Sequence, residues 1–144
     1  MIAVAVSVLI YTNCQTSNDV KSESTVQENA MVEESWEEIM AVHDEIMPIS
    51  MKLPPIWEKI DTLLIDANEA EAIELKVISA NLKKAHKDMY DWMEDARLIK
   101  ERITNASESE LEAEVEKEKS RIEKIKKETN EVFETARKRL NIQE

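Results

Sequence analysis

A chain of 144 residues with no glycine and only three prolines excludes most sheet folds, whose tight turns take positive φ from glycine. A formal net charge of −12 excludes nucleic-acid binding, which depends on Lys and Arg against phosphate, and disfavours docking of the protein surface on anionic lipid. Charged residues at 35% against 4% aromatics suit a helical bundle with narrow apolar seams.

The N-terminus opens on an apolar run, Ile2-Ala-Val-Ala-Val-Ser-Val-Leu-Ile-Tyr11. It is too short to cross a bilayer as a helix and has the length of a signal-peptide core. Cys14 follows, then Gln15 to Asn29, polar and without apolar periodicity. The expected division is therefore a signal segment over 1–14, a disordered tether over 15–29 and a helical bundle over 30–141. The order of apolar run, cysteine and polar tether resembles a bacterial lipoprotein signal. Tyr11 and Asn13 depart from that pattern's leucine and small residue, and no basic residue precedes the apolar run. The resemblance implies lipidation at Cys14 and a membrane anchor in the cell envelope. Only Asp19 supplies acid near the cysteine, so the anchored domain is expected to face the periplasm.

The first helix is expected from about Asn29. Trp36, Ile39, Met40, His43, Ile46 and Met47 recur at three- and four-residue steps, one helical face. Pro48 predicts a kink, with Met51 and Leu53 continuing the stripe, and Pro54-Pro55 a stronger break. Ile56 to Ile65 resumes the period through Ile60, Leu63 and Leu64. Asn68 with Glu71 offers a capping box after the turn. Leu75, Ile78, Leu82, Ala85, Met89, Trp92, Ala96, Ile99 and Ile103 then alternate by three and four, a heptad seam. Thr104 to Ser109 breaks the pattern, with Ser107 or Ser109 as cap. Leu111, Val115, Ile122, Ile125, Thr129, Val132 and Ala136 form the last seam, Glu118 filling one slot. Short connections make neighbours antiparallel. The fold class is all-α: an antiparallel three-helix bundle with coiled-coil character, its first helix kinked at Pro48 and broken near Pro54-Pro55.

A first turn near Ala67 puts His43 level with Tyr90. His43 and Met47 then face His86, Met89 and Met93, with Met40 on the same side of the first helix. Imidazole and thioether ligands suit Cu(I), so a copper-holding site is one reading. The other is packing, in which Met fills irregular gaps against Trp36 and Trp92. Trp36, Met40 and Trp92 equally form a candidate packing or partner face. Haem has no Cys-x-x-Cys-His attachment here. Ferritin-like iron binding needs Glu three residues before each histidine, where this chain has Met40 and Lys83. No catalytic spacing is present and no glycine-rich phosphate loop can form, so an enzyme is not expected. A heptad seam also permits self-association.

Trp36-Glu-Glu-Ile-Met-Ala-Val-His-Asp-Glu-Ile-Met-Pro48, with the later Met89-Tyr-Asp-Trp-Met93, resembles a group of short Bacteroidetes lipoproteins labelled "viral A-type inclusion protein". That label reflects coiled-coil similarity and implies no viral role. The resemblance extends to the layout: lipidated cysteine, polar tether, His-Asp-Glu-x-Met-Pro helix, Asp-Trp-Met helix and a Glu/Lys-rich last helix. It carries no established activity and assigns no residue a role; the expected function is a membrane-anchored binding or structural module in the cell envelope, with a protein partner.

Overall fold

Four helices account for the chain in the computed structural model, which describes residues 19–142. They are α1 (Asp19–Ser50), α2 (Leu53–Leu63), α3 (Glu69–Asn105) and α4 (Glu108–Leu140). The protein is all-α, and the described residues contain no strand. Cys14, the segment 1–14 and tether residues 15–18 lie outside the described residues.

The first helix starts earlier than its apolar pattern predicts. Asp19 to Asn29, expected as tether, belongs to α1. That stretch contains neither glycine nor proline. A helix already nucleated downstream extends through such residues at one hydrogen bond per residue added. Apolar periodicity reports burial, not the reach of the backbone helix.

Pro48 lies inside α1, and the first helix is bent by 30°. The break comes at Met51 and Lys52, just ahead of the two prolines. Pro54 and Pro55 sit in the first turn of α2, where backbone donors have no helical acceptor in any case. The chain closes α1 with a Met51 N–H to the Met47 carbonyl at 3.0 Å and a tighter Lys52 N–H to the Ile49 carbonyl at 2.9 Å. Met51, expected to continue the stripe, is exposed. Leu53, expected with it, is fully buried.

Val32, Ile39, Ile46, Leu53 and Ile60 are all buried, each seven residues after the last. The heptad phase therefore survives both the bend and the break. Two apolar clusters result. One joins Val32, Ile39 and Ile46 of α1 to Met89, Trp92, Ile99 and Ile103 of α3 and to Leu111 through Ile125 of α4. The other joins Leu53, Ile56 and Ile60 of α2 to Leu75 through Ala85 of α3 and to Ala136 of α4. So α3 and α4 run the length of the bundle, while α1 and α2 share its third side.

Ion pairs between helices set the directions. Lys126 meets Glu45 at 2.5 Å and Lys119 meets Glu38, so α4 runs parallel to α1. Lys100 meets Glu33 at 3.0 Å, Arg121 meets Asp95 at 3.0 Å and Arg139 meets Glu74 at 2.8 Å, as antiparallel neighbours require. The caps follow from sequence. The Glu71 N–H donates to Asn68 Oδ1 at 3.1 Å, and the Asn68 N–H returns to Glu71 Oε2 at 3.3 Å. At the start of α4 the Ser107 hydroxyl and backbone N–H both donate to the Glu110 carboxylate and hold it below its ordinary value. Asn141 ends α4 in the left-handed region at φ 51°, and the Ile142 N–H folds back onto the Arg137 carbonyl at 3.0 Å, a common helix stop.

The one acidic residue in an apolar seam is Glu118, only 1% exposed. Arg102 donates to its Oε1 at 2.7 Å. Arg121 lies 3.7 Å from Oε2, inside ion-pair range but beyond a hydrogen bond. Burying a carboxylate costs several kcal/mol that one good partner only partly offsets. Thermal and urea unfolding should therefore show Glu118→Leu as neutral or stabilising. Arg102→Ala should lose roughly 3 kcal/mol, because it strands the buried carboxylate. Equal losses from both variants would contradict this account.

Candidate functional site

Heptad geometry gives the first side of the bundle a second register of residues: Trp36, His43, Ser50, Trp57 and Leu64. Each lies four residues after a buried aliphatic one. Rings from α3 enter between successive members of this register. Trp92, fully buried, stacks on Trp36 with centroids 6.5 Å apart and planes 14° from parallel. Its contact with His43 is at 5.7 Å and 29°. Trp36 and His43 are seven residues apart, about 10 Å along the axis, so one indole fits between them. Trp92 Nε1 is buried without a hydrogen-bond partner, so the stack is held by surface burial and ring contact alone.

Two gaps further along the register, between Ser50 and Trp57, His86 occupies the equivalent place. It meets Trp57 edge-on at 5.2 Å and Tyr90 at 4.4 Å. Its Nδ1 lies 3.2 Å from the Ser50 carbonyl oxygen and 3.5 Å from Ser50 Oγ. A carbonyl only accepts, so Nδ1 carries the proton and donates. The reason is the proline pair. In an unbroken helix the Ser50 carbonyl takes the N–H of residue 54, and the Met51 carbonyl that of residue 55. Both are proline. Met51 is exposed, whereas Ser50 is fully buried. A buried carbonyl needs a protein donor, and His86 supplies it.

The expected His/Met grouping is thus only partly assembled. Met89 is fully buried, and Met40 and Met47 pack against the same cluster. His43 turns inward beside them, its side chain 12% exposed and its Nδ1 2.8 Å from Asp44 Oδ1. His86 does not join it. It pairs with Ser50, seven residues beyond His43 and so about 10 Å down the axis. Met93 lies at the surface. The level of His43 is two residues from the expected one, at Trp92 rather than Tyr90. No group of three or more His, Cys, Asp or Glu side chains among the described residues could hold a metal ion.

Three open grooves bear on binding. The largest of the three, about 510 Å³ between α1 and α4, has Glu34, Glu38, Glu112 and Glu116 around Met31, Leu111 and Val115. One of about 390 Å³ between α1 and α3 has Trp36 and Met40 as its floor and Arg97, Lys100 and Glu101 at its edge. Lys100 Nζ sits 5.8 Å over the Trp36 ring, a cation–π contact. Trp36 is half-buried while Trp92 is sealed inside, so the expected Trp36/Met40/Trp92 face divides into an accessible part and a core part. The third groove lies at the far end, between α2 and the end of α4. Sequence reasoning missed it, since its residues belong to three separate stretches. No helix among the described residues is long and apolar enough to cross a membrane.

Comparison with known proteins returns no matching family model, curated protein or solved structure.

His86 is the residue whose loss should read out the proline break. His86→Ala leaves a buried carbonyl without a donor and should cost about 1–3 kcal/mol in urea unfolding. His86→Gln, which keeps a donor, should recover part of it. If His86→Phe, which keeps ring packing but no donor, is as stable as the parent, the hydrogen bond is not what the site needs.

Proposed function

We propose that the chain is a membrane-anchored lipoprotein of the cell envelope whose helical bundle is a binding or structural module without catalysis of its own. The anchor rests on the order of apolar run, Cys14 and polar segment, and on the resemblance to the Bacteroidetes lipoproteins. The orientation follows from the sparse acid after Cys14, which favours a periplasm-facing domain.

The observation that carries the binding reading is the Trp36 groove. Tryptophan, methionine and arginine are the side chains enriched where proteins meet, and Trp36, Met40 and Arg97 line this one groove. Lys100 and Glu101 give it a charged edge, the polar rim around an apolar centre that protein contacts commonly show. Much of the remaining shaft carries paired Glu and Lys, which suits solubility more than recognition.

A copper-holding role is the second reading. Its support is that Met40, Met47 and Met89 converge on one cluster beside His43. Against it, packing accounts for each of these side chains, and His86 sits at Ser50, about 10 Å along the axis from His43. Titration with Cu(I) against a chelating competitor should show retention that falls in His43→Ala if the reading holds. No retention, or retention unchanged in that variant, removes it.

Two measurements test the main reading separately. Cys14→Ala should move the protein from the membrane fraction to the soluble fraction; continued membrane association counts against lipidation. A photo-crosslinking residue in place of Trp36 should give a discrete adduct in cells, whereas one in place of Lys124, exposed on α4, should not. Equal labelling from the two positions, or none from position 36, sinks the groove as the contact surface.

A further inference from the structure

The groove at the far end of the bundle combines an apolar floor with a positive rim. It has a volume of about 410 Å³, within the range of pockets for small ligands. Ile56 of α2 and Phe133 of α4 form the floor. Ile142 forms a wall, because the left-handed turn at Asn141 folds it back over the end of α4. Around this apolar surface stand Lys52, Lys59 and Arg137, and among the described residues no carboxylate lines it.

The formal charge is −12, and most described Lys and Arg residues lie within ion-pair distance of a Glu or Asp. Among the described residues neither Lys52 nor Lys59 has a carboxylate partner. Both are exposed, seven residues apart on either side of Ile56, so they share one side of the groove. Lys52 instead sits with its Nζ 5.9 Å from the centroid of the Phe133 ring, at the seam between floor and rim. Arg137 is paired with Glu134 and adds its field from the opposite helix.

We propose that this groove binds a small amphiphilic carboxylate of the fatty-acid class. Its head is held by Lys52 and Lys59, and its hydrocarbon body lies on Ile56, Phe133 and Ile142. Charge complementarity selects the ligand. Lys52 and Lys59 line one groove with no carboxylate partner among the described residues, so the local field is positive although the chain is acidic. The same acidity repels an extended anionic membrane surface, which favours a free amphiphile over a lipid headgroup in a bilayer. This inference is independent of the partner groove at Trp36 and of the anchor.

The test uses the full chain, titrated with decanoate below its micellar concentration and followed by amide chemical shifts. Saturable shifts confined to Lys52–Lys59 and Phe133–Ile142 are expected. Decylammonium, with the same tail and the opposite charge, should produce none. Lys52→Glu/Lys59→Glu should weaken decanoate roughly tenfold or more with the circular dichroism unchanged, since both side chains are exposed and an acid at the start of α2 suits the helix dipole. Absence of saturation, equal response to decylammonium, shifts centred elsewhere, or a double variant that binds as the parent does would each overturn the proposal. So would binding only to anionic vesicles and not to free decanoate.

Discussion

Two carbonyls, those of Ser50 and Met51, lose their helical donors to Pro54 and Pro55, and the bundle is arranged around how that loss is met. Prolines at the start of a helix cost that helix little. The cost falls on the helix before, whose last carbonyls have nothing ahead of them. Where the carbonyl is exposed, water answers. At Ser50 it is buried, and a side chain must reach it from another helix. His86 does so from α3, which ties the break in the first side of the bundle to a fixed height on the second. A break so anchored lets α1 and α2 bend around a core that a straight helix would leave half-covered.

The same geometry explains both histidines without chemistry. His86 and Trp92 lie six residues apart on α3, and each enters a gap in the register Trp36, His43, Ser50, Trp57. Trp92 takes the gap above, between a ring and a ring. His86 takes the gap below, between a carbonyl and a ring. A polar ring suits the lower gap because a hydrogen bond is needed there. An indole suits the upper one because that gap is lined by rings, although its Nε1 goes unpaired. Trp92 and His86 are wedges between the first two sides of the bundle.

Charge is distributed to the same end. Pairs such as Lys126–Glu45, Arg121–Asp95 and Arg139–Glu74 bridge helices at the surface, where each adds little to stability but disfavours a shifted register. Glu118 is different, because it is buried and answered chiefly by Arg102. It weakens the seam and fixes the height at which α3 and α4 meet, in the way single polar seam residues specify register in coiled coils. Two of the lysines left without carboxylates, Lys52 and Lys59, stand together at the far end, beside the groove of Phe133 and Ile142. Charge pairing along the shaft and unpaired charge at one end make that end chemically distinct.

Much of the fold was legible in the residues. The seam from Leu75 to Ile103 is buried as its three-four alternation requires, with Ala96 half-covered, because a periodic apolar face has one way to leave water. The Asn68–Glu71 box and the Ser107 cap were equally readable, since capping is local and each partner lies within a turn. The kink at Pro48 follows from the missing donor. Tertiary structure alone decided the rest. It placed the break at Met51 and Lys52, ahead of the prolines, and exposed Met51. It separated His43 from His86 by about two helical turns, because equal apolar spacing on two helices leaves their relative height open until rings and carbonyls interlock. It also assembled Lys52, Lys59, Phe133 and Ile142 into one groove. Sequence determines which residues share a helix face; only packing determines which faces meet, and at what height.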